Sequence, residues 1–233
     1  MKLDTQGPIV PVVAIDGPVG SGKGTISRQV ANSLGWHLLD SGALYRLVAL
    51  ASMKLGVAKN EEKYIATLAR TLVVKFDSDQ AGNARIFLDG ENVTTDIRTE
   101  ECSRVASEVA SFSSVRTALL ELQRTFRKNP GLVADGRDIG STIFPDAFLK
   151  IYLTASIEER VKRRYKQLKH KGINVSLPTL LRDIEDRDRR DVKRSVAPLR
   201  LAGDAKFLDS SGLSIEEVTQ TILGWISELF KEN

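Results

Sequence analysis

The 233-residue sequence holds a single cysteine, Cys102, two histidines and two tryptophans, and aromatic residues make up only 6% of it. One thiol excludes an intrachain disulfide and any all-cysteine metal site, so Cys102 reads as a small buried apolar side chain. His37 falls in an expected strand and His170 in a lysine-rich turn; both read as structural or solvated, which leaves no imidazole for acid–base work. No apolar run approaches the roughly 20 residues that span a bilayer. The opening MKLDTQGPIV has neither the apolar stretch nor the cleavage pattern of a secretion signal. A cytoplasmic protein without a membrane partner is expected. Charge of one sign is not in large excess either: 34 Lys and Arg oppose 30 Asp and Glu, a formal net charge of +4. With 42% apolar and 27% charged residues, the chain is globular in composition and long enough for one substantial domain with inserts.

The position of the charge says more than its sum. Residues 158–194 carry 13 Lys and Arg against 7 Asp and Glu, whereas the remainder has 21 against 23. An arginine-rich segment on a slightly acidic body suits a compact anionic ligand at least as well as a polyanion, and Tyr165 is the only aromatic residue within it.

Hydrophobic patterning predicts an α/β fold. Ile9 to Ile15 is a buried strand that runs into a glycine-rich turn, and Ile26, Val30 and Leu34 mark a helix closed by Gly35. Trp36 to Leu39 is a second strand, Asp40 to Gly42 a turn, and Leu44 to Leu55 a helix stopping at Gly56, giving βαβα. Val73 to Asp77 and Ala84 to Leu88, joined by SDQAGN, then form a small antiparallel insert, with Asp89 and Gly90 as another turn. Helices follow around Cys102, Val105 and Val109, and from Val115 through Phe126 to Asn129, Pro130 and Gly131. The parallel-sheet pattern resumes with Leu132 to Ala134, Leu149 to Leu153 and Lys206 to Leu208. Ser214 and Glu217 make a capping box ahead of a last amphipathic helix.

Chemistry is concentrated in Gly17, Pro18, Val19, Gly20, Ser21, Gly22, Lys23, Gly24 and Thr25, a phosphate loop between a buried strand and a helix. The glycines allow backbone N–H groups to turn inward around phosphate oxygens, the helix N-terminus adds positive potential, and Lys23 supplies a mobile cation. Gly24 stands where such loops usually carry Ser or Thr, which removes the hydroxyl that would ligate magnesium directly.

Phosphoryl transfer between nucleotides requires charge clamping and exclusion of water more than a base, because the attacking oxygen is already anionic. Asp135, Gly136, Arg137 and Asp138 follow a strand, where ligands of open α/β sheets bind. Arg160, Arg163 and Arg164 are expected on one side of a helix whose other side is Val161, Tyr165 and Leu168. Arg187, Asp191 and Arg194 fall at i, i+4 and i+7 of a second helix. The linker HKGINVSLP between them makes a hinged arginine-bearing lid the expectation.

Taken together, GPVGSGKGT, LLDSGALYR, ADGRDIG, RDRRDVKRSVAPL and DAKFLDSSGLSIEEV resemble the bacterial cytidylate kinase family, in the family's order and over nearly the whole chain. The resemblance implies transfer of the γ-phosphate of ATP to CMP or dCMP with magnesium held mainly by phosphates and water. It implies a P-loop core at 8–55, 132–157 and 195–233, a monophosphate-binding insert at 56–131 and a lid at 158–194. Lys23, Arg137, Arg163, Arg190 and Arg194 are the expected catalytic cations. Ser41, Arg46, Arg137 and Arg194 would hold the acceptor phosphate, Arg187 and Asp191 the sugar, and Ser107, Arg116 and Asp138 the cytosine. No metal-ligating residue is assigned, and a monomer without a nucleic-acid partner is expected. A site paired to the 4-amino group of cytosine should make UMP the poorer acceptor.

Three other readings use parts of the same sequence. Another P-loop kinase of a small molecule, such as AMP, GMP, dTMP, shikimate or dephospho-coenzyme A, shares the loop but not Ser107 and Arg116. A P-loop switch would need a water-positioning Gln with a separate carboxylate, and a basic nucleic-acid binder would need its charge spread over the surface.

Overall fold

The computed structural model describes residues 9–78, 84–170, 172–194 and 196–232. The expected SDQAGN turn beyond Ser78, the first eight residues, Lys171 of the linker and Ser195 lie outside the described residues. In chain order the elements are β1 (Val12–Asp16), α1 (Lys23–Leu34), β2 (His37–Asp40), α2 (Ser41–Lys54), α3 (Glu62–Thr71), β3 (Val74–Ser78), β4 (Ala84–Leu88) and β5 (Glu91–Asn92). They continue with α4 (Glu100–Val109), α5 (Ser113–Arg124), β6 (Leu132–Gly136), β7 (Leu149–Thr154), α6 (Ile157–His170), α7 (Leu177–Lys193), β8 (Lys206–Asp209) and α8 (Ile215–Glu232).

Five strands form a sheet in the order β2-β6-β1-β7-β8; β1 pairs parallel with β6 and β7, and β7 with β8. Every residue of β1 and β6 is buried, which is why both read as near-continuous apolar runs rather than alternating ones. Val13, Ile15, Val133, Ile151 and Leu153 pack with Ile26 and Val30 of α1 and Val218, Ile222 and Ile226 of α8. The chain leaves the central strand β1 toward β2 on one side and enters β7 and β8 on the other, so the crevice for a ligand lies at the carboxyl end of β1. The capping box is present: Glu217 N donates to Ser214 Oγ at 3.2 Å, and Ser214 N to Glu217 Oε2 at 2.8 Å.

Among the described residues, 9–39, 124–192 and 197–232 form one compact unit and 40–123 with 193–196 another. In the second unit, β3, β4 and β5 make an antiparallel sheet and α2 packs on α3 and α4, with Leu44, Leu47, Ile65, Cys102 and Val105 of these helices buried.

Several local expectations are corrected. Asp40 to Gly42 is not a free turn, because Asp40 Oδ1 accepts from Ala43 N at 2.8 Å and caps α2, which starts at Ser41. Helix α3 has no counterpart in the sequence reading; its buried stripe is Ile65, Ala66 and Ala69, too small in side-chain volume to stand out as a hydrophobic period. Helix α5 stops at Arg124 rather than continuing through Phe126. Helix α7 ends at Lys193, so Arg194 follows the helix and does not extend the Arg187–Asp191 face. Arg160 does not stand on the side of α6 away from Val161 and Leu168 but is buried along with them. Among the described residues no helix is long and apolar enough to cross a membrane.

Candidate functional site

The loop between β1 and α1 is shaped by contact with its neighbours. At Gly17 a Cβ would lie 1.9 Å from the Leu153 carbonyl oxygen on the adjacent strand, so no side chain fits. Gly22 caps α1 with φ 93°, in the left-handed region where glycine is at no disadvantage, and its carbonyl accepts from Thr25 N and Ile26 N at 3.1 Å each. Lys23 is buried and folds back, its Nζ donating to the Pro18 carbonyl at 2.9 Å, with Ser21 Oγ 3.5 Å away. Burial first, and the Arg137 charge second, bring the Lys23 ammonium down from its usual range to about 7, against the opposing pull of Asp135 and Asp191. A phosphate placed in the loop would restore its charge.

Asp16, the last residue of β1, was not singled out by the sequence reading. Its carboxylate accepts from Ile139 N and Gly140 N at 2.9 Å each, anchoring the π-helical turn Ile139–Ile143 beside the loop. Burial raises its pKa to about 6, with the two backbone hydrogen bonds opposing. An acidic residue closing an apolar strand just before a glycine loop is the signal that would have found it.

Arg137 follows β6 and donates through Nε to Asp191 Oδ2 on α7 at 2.6 Å and through Nη1 to the Gly136 carbonyl at 3.1 Å. Burial would lower the Arg137 pKa, but the charge and hydrogen bond of Asp191 outweigh it and hold it above its usual range. Asp138 and Asp191 are buried, Arg187 is half-buried and Arg190 is exposed. Asp135 is buried as well, and a Cβ at Gly24 would come within 3.5 Å of its Oδ2.

Two of the three arginines of α6 reach the loop from behind, while Arg164 donates to Gln167 Oε1 on the same helix at 2.6 Å. Arg160 donates through Nη1 to the Val19 carbonyl at 3.1 Å and to Asp188 Oδ2 at 2.6 Å, and through Nε to the Ala155 carbonyl at 3.1 Å. Arg163 donates to Glu159 Oε1, to the Ser21 carbonyl, and to both the hydroxyl and the carbonyl of Ser210. The loop, Arg137, Asp138, Arg163, Arg187, Arg190 and Asp191 thus all belong to the unit that holds the parallel sheet.

Ser41, Arg46, Ser107, Arg116 and Arg194 belong to the other unit. There Ser41 Oγ donates to Gln123 Oε1 at 2.6 Å, both side chains being buried, and Gln123 Nε2 donates to the Leu119 carbonyl at 3.2 Å. Arg46 Nη2 donates to Asp40 Oδ2 at 2.7 Å, so one carboxylate both caps α2 and orients the arginine one turn into it. Arg116 is buried, donates to the Ala110 carbonyl at 3.1 Å and lies over the Tyr45 ring, 5.4 Å from its centroid. Ser107 is buried on α4. Gln123 and Tyr45 were not marked as functional in the sequence because they act through tertiary neighbours. His37 is exposed in β2 as expected, its Nε2 2.8 Å from the Asn129 carbonyl oxygen, whereas His170 is exposed as the last residue of α6 rather than in the turn expected there.

Comparison with known proteins agrees with this geometry. The profile of the cytidylate kinase family matches residues 13–228. The cytidylate kinase of Nitrosococcus oceani is 55% identical over 219 residues, 94% of this chain and 96% of that protein. That of Bordetella bronchiseptica is 51% identical over 223 residues, 96% of this chain and 98% of its own length. A solved structure of an uncharacterized protein from Eubacterium ventriosum shares the fold with a TM-score of 0.51 at 12% identity, covering 93% of this chain and 98% of that one. A P-loop sheet carrying a buried lysine and a paired arginine, matched from the first core strand into the last helix, places the chain in the cytidylate kinase family.

Proposed function

We propose that this protein is a nucleoside monophosphate kinase that transfers the γ-phosphate of ATP to CMP or dCMP, giving ADP and CDP or dCDP. The observation that carries the reading is the P-loop with Lys23 buried against Pro18, beside an Arg137 held ready by Asp191, in a chain similar over its length to proteins named cytidylate kinase. Backbone N–H groups of the 17–25 loop, other than Pro18, which has none, and Thr25, whose N donates to the Gly22 carbonyl, bind the donor phosphates and exclude water from them. Lys23 exchanges the Pro18 carbonyl for phosphate oxygens and takes up a proton as it does so. Arg137 and Arg194 hold the acceptor phosphate with Ser41 and Arg46, Arg190 adds positive charge where the transferred group is most anionic, Arg187 and Asp191 address the sugar, and Ser107, Arg116 and Asp138 read the base. No side chain need remove a proton, since the acceptor phosphate oxygen attacks as an anion.

The residues suit a magnesium ion held mainly by phosphates and water. Gly24 brings no hydroxyl, whereas the buried Asp135 carboxylate next to it would help hold such an ion through water. Bound there, the ion neutralises phosphate charge. The reading includes a monomer in which 56–131 receives the monophosphate and 158–194 serves as lid over a core of 8–55, 132–157 and 195–233. Labelled γ-phosphate transfer tests it: label should appear in CDP and dCDP, slowly or not at all in UDP, and as free phosphate only in traces without an acceptor. Equal release of phosphate with and without CMP would replace the kinase by an ATPase, and preferred labelling of an AMP, GMP or dTMP product would replace the acceptor.

A further inference from the structure

A phosphate loop that turns its N–H groups inward must turn carbonyls outward, and a carbonyl pressed against protein needs a donor or the loop relaxes around it. Two outward carbonyls of this loop have unusual donors. The Val19 carbonyl accepts from Arg160 Nη1 at 3.1 Å. The Ser21 carbonyl accepts from Arg163 Nη1 at 3.1 Å and lies 3.2 Å from Ser210 Oγ, whose single proton it shares with the Thr154 carbonyl at 2.8 Å. Arg160 and Arg163 stand three residues apart on α6 and so share a face. Packing is close: a Cβ at Gly20 would lie 3.1 Å from Arg160 Cβ, and one at Gly22 would lie 3.5 Å from Arg163 Nη1.

Ser210 completes the arrangement. It is buried just past β8, its N donates to the Thr154 carbonyl at 2.8 Å, and Arg163 Nη2 donates to its carbonyl at 2.7 Å. Arg163 Nη1 also reaches Ser210 Oγ at 3.0 Å, and its Nε donates to Glu159 Oε1 at 3.1 Å. Every nitrogen of this guanidinium is therefore engaged within the protein. The turn after β8, helix α6 and the loop are tied at one carbonyl.

We propose that Arg163 and Ser210, with Arg160 behind them, are positioning residues of the phosphate loop: they hold its outward carbonyls so that its amides face the nucleotide, and they do not touch the nucleotide themselves. The inference rests on the kinase reading above and assigns Arg163 a role different from that of a phosphate clamp. A clamp on the γ-phosphate distinguishes ATP from ADP, whereas a loop support affects both equally.

Calorimetric titration of MgATP and MgADP into the wild type, Arg163→Ala, Ser210→Ala and the double variant tests it. Arg163→Ala should weaken ATP and ADP by the same factor, about tenfold for a lost charge-assisted donor. Ser210→Ala, which removes only a hydroxyl and keeps the fold, should weaken both by about threefold. The double variant should be no weaker than the product of the two single losses, and weaker effects than that product mark the shared carbonyl. The KM for CMP should not move, and Arg163→Lys should recover part of the loss. A loss for ATP ten times that for ADP in Arg163→Ala would overturn the proposal in favour of direct γ-phosphate contact. Unchanged binding of both nucleotides with a lowered melting temperature would overturn it in favour of a purely structural role. Failure of the wild type to bind either nucleotide would instead bring down the kinase reading, and this inference with it.

Discussion

Helices α6 and α7 come from one arginine-rich segment, yet their arginines lie in different surroundings. On α6, Arg160 and Arg163 are turned inward onto loop carbonyls. On α7, Asp188 and Asp191 are turned inward and receive Arg160 and Arg137, while Arg189 and Arg190 stay exposed. The lesson is that a basic segment does two jobs which charge counting merges. Arginine stems can be buried among apolar neighbours such as Val161 and Leu168 when the guanidinium finds fixed acceptors.

The largest effect separating these roles should come from Arg137, proposed above to hold the acceptor phosphate. Arg137→Ala is expected to lower kcat/KM for CMP by about a thousandfold, roughly 4 kcal/mol of lost charge stabilisation, with cooperative melting retained; steady-state rates and a thermal melt check it. A scaffold arginine should do the opposite. Arg160→Leu strands Asp188 and is expected to cost about 3 kcal/mol of stability, read by chemical denaturation.

Asp16→Asn sharpens the comparison at the carboxylate that anchors the 139–143 turn. Replacing one of its two acceptor oxygens should cost about 2 kcal/mol near neutral pH. In the wild type the folded state keeps a proton on Asp16 up to about 6, whereas the unfolded carboxyl releases it near 3.8, so this group's contribution falls as pH rises through that window and is flat above it. The stability difference between wild type and Asp16→Asn measured from pH 4 to 7 should carry that slope.

Lys23 gives a smaller effect, and one of opposite charge. Its pKa of about 7 in the free protein means that much of it is neutral at pH 8, and bound phosphate restores the proton. MgADP binding at pH 8 should therefore take up as much as one proton, falling toward none at pH 6, as calorimetry in buffers of different ionisation enthalpy would show. The smallest effect belongs to the exposed Arg189–Asp186 pair, 3.3 Å apart, where Arg189→Ala should change stability by less than about 0.5 kcal/mol.

Local chemistry was legible in the sequence and tertiary burial was not. The P-loop could be read because glycines, lysine, strand and helix are contiguous. Strands β1 and β6 could be read because burial on both faces leaves unbroken apolar runs. Arg160 was misplaced because its acceptor, the Val19 carbonyl, is 141 residues away in sequence and helical periodicity says nothing of it. Helix α3 was hidden because alanines fill most of its buried stripe. Arg194 looked like a third member of the Arg187 face because spacing cannot show that α7 ends one residue before it. Base and sugar contacts were assigned through family resemblance, since nothing in the spacing of Ser107, Arg116 and Asp138 names a pyrimidine.

The difference between the two kinds of arginine is tested most directly by initial-rate kinetics of Arg163→Ala and Arg137→Ala, with ATP and CMP both varied. The account predicts a crossed pattern: Arg163→Ala raises the KM for ATP and leaves that for CMP, whereas Arg137→Ala raises the KM for CMP, lowers kcat and leaves the KM for ATP. The same pattern in both variants would contradict it.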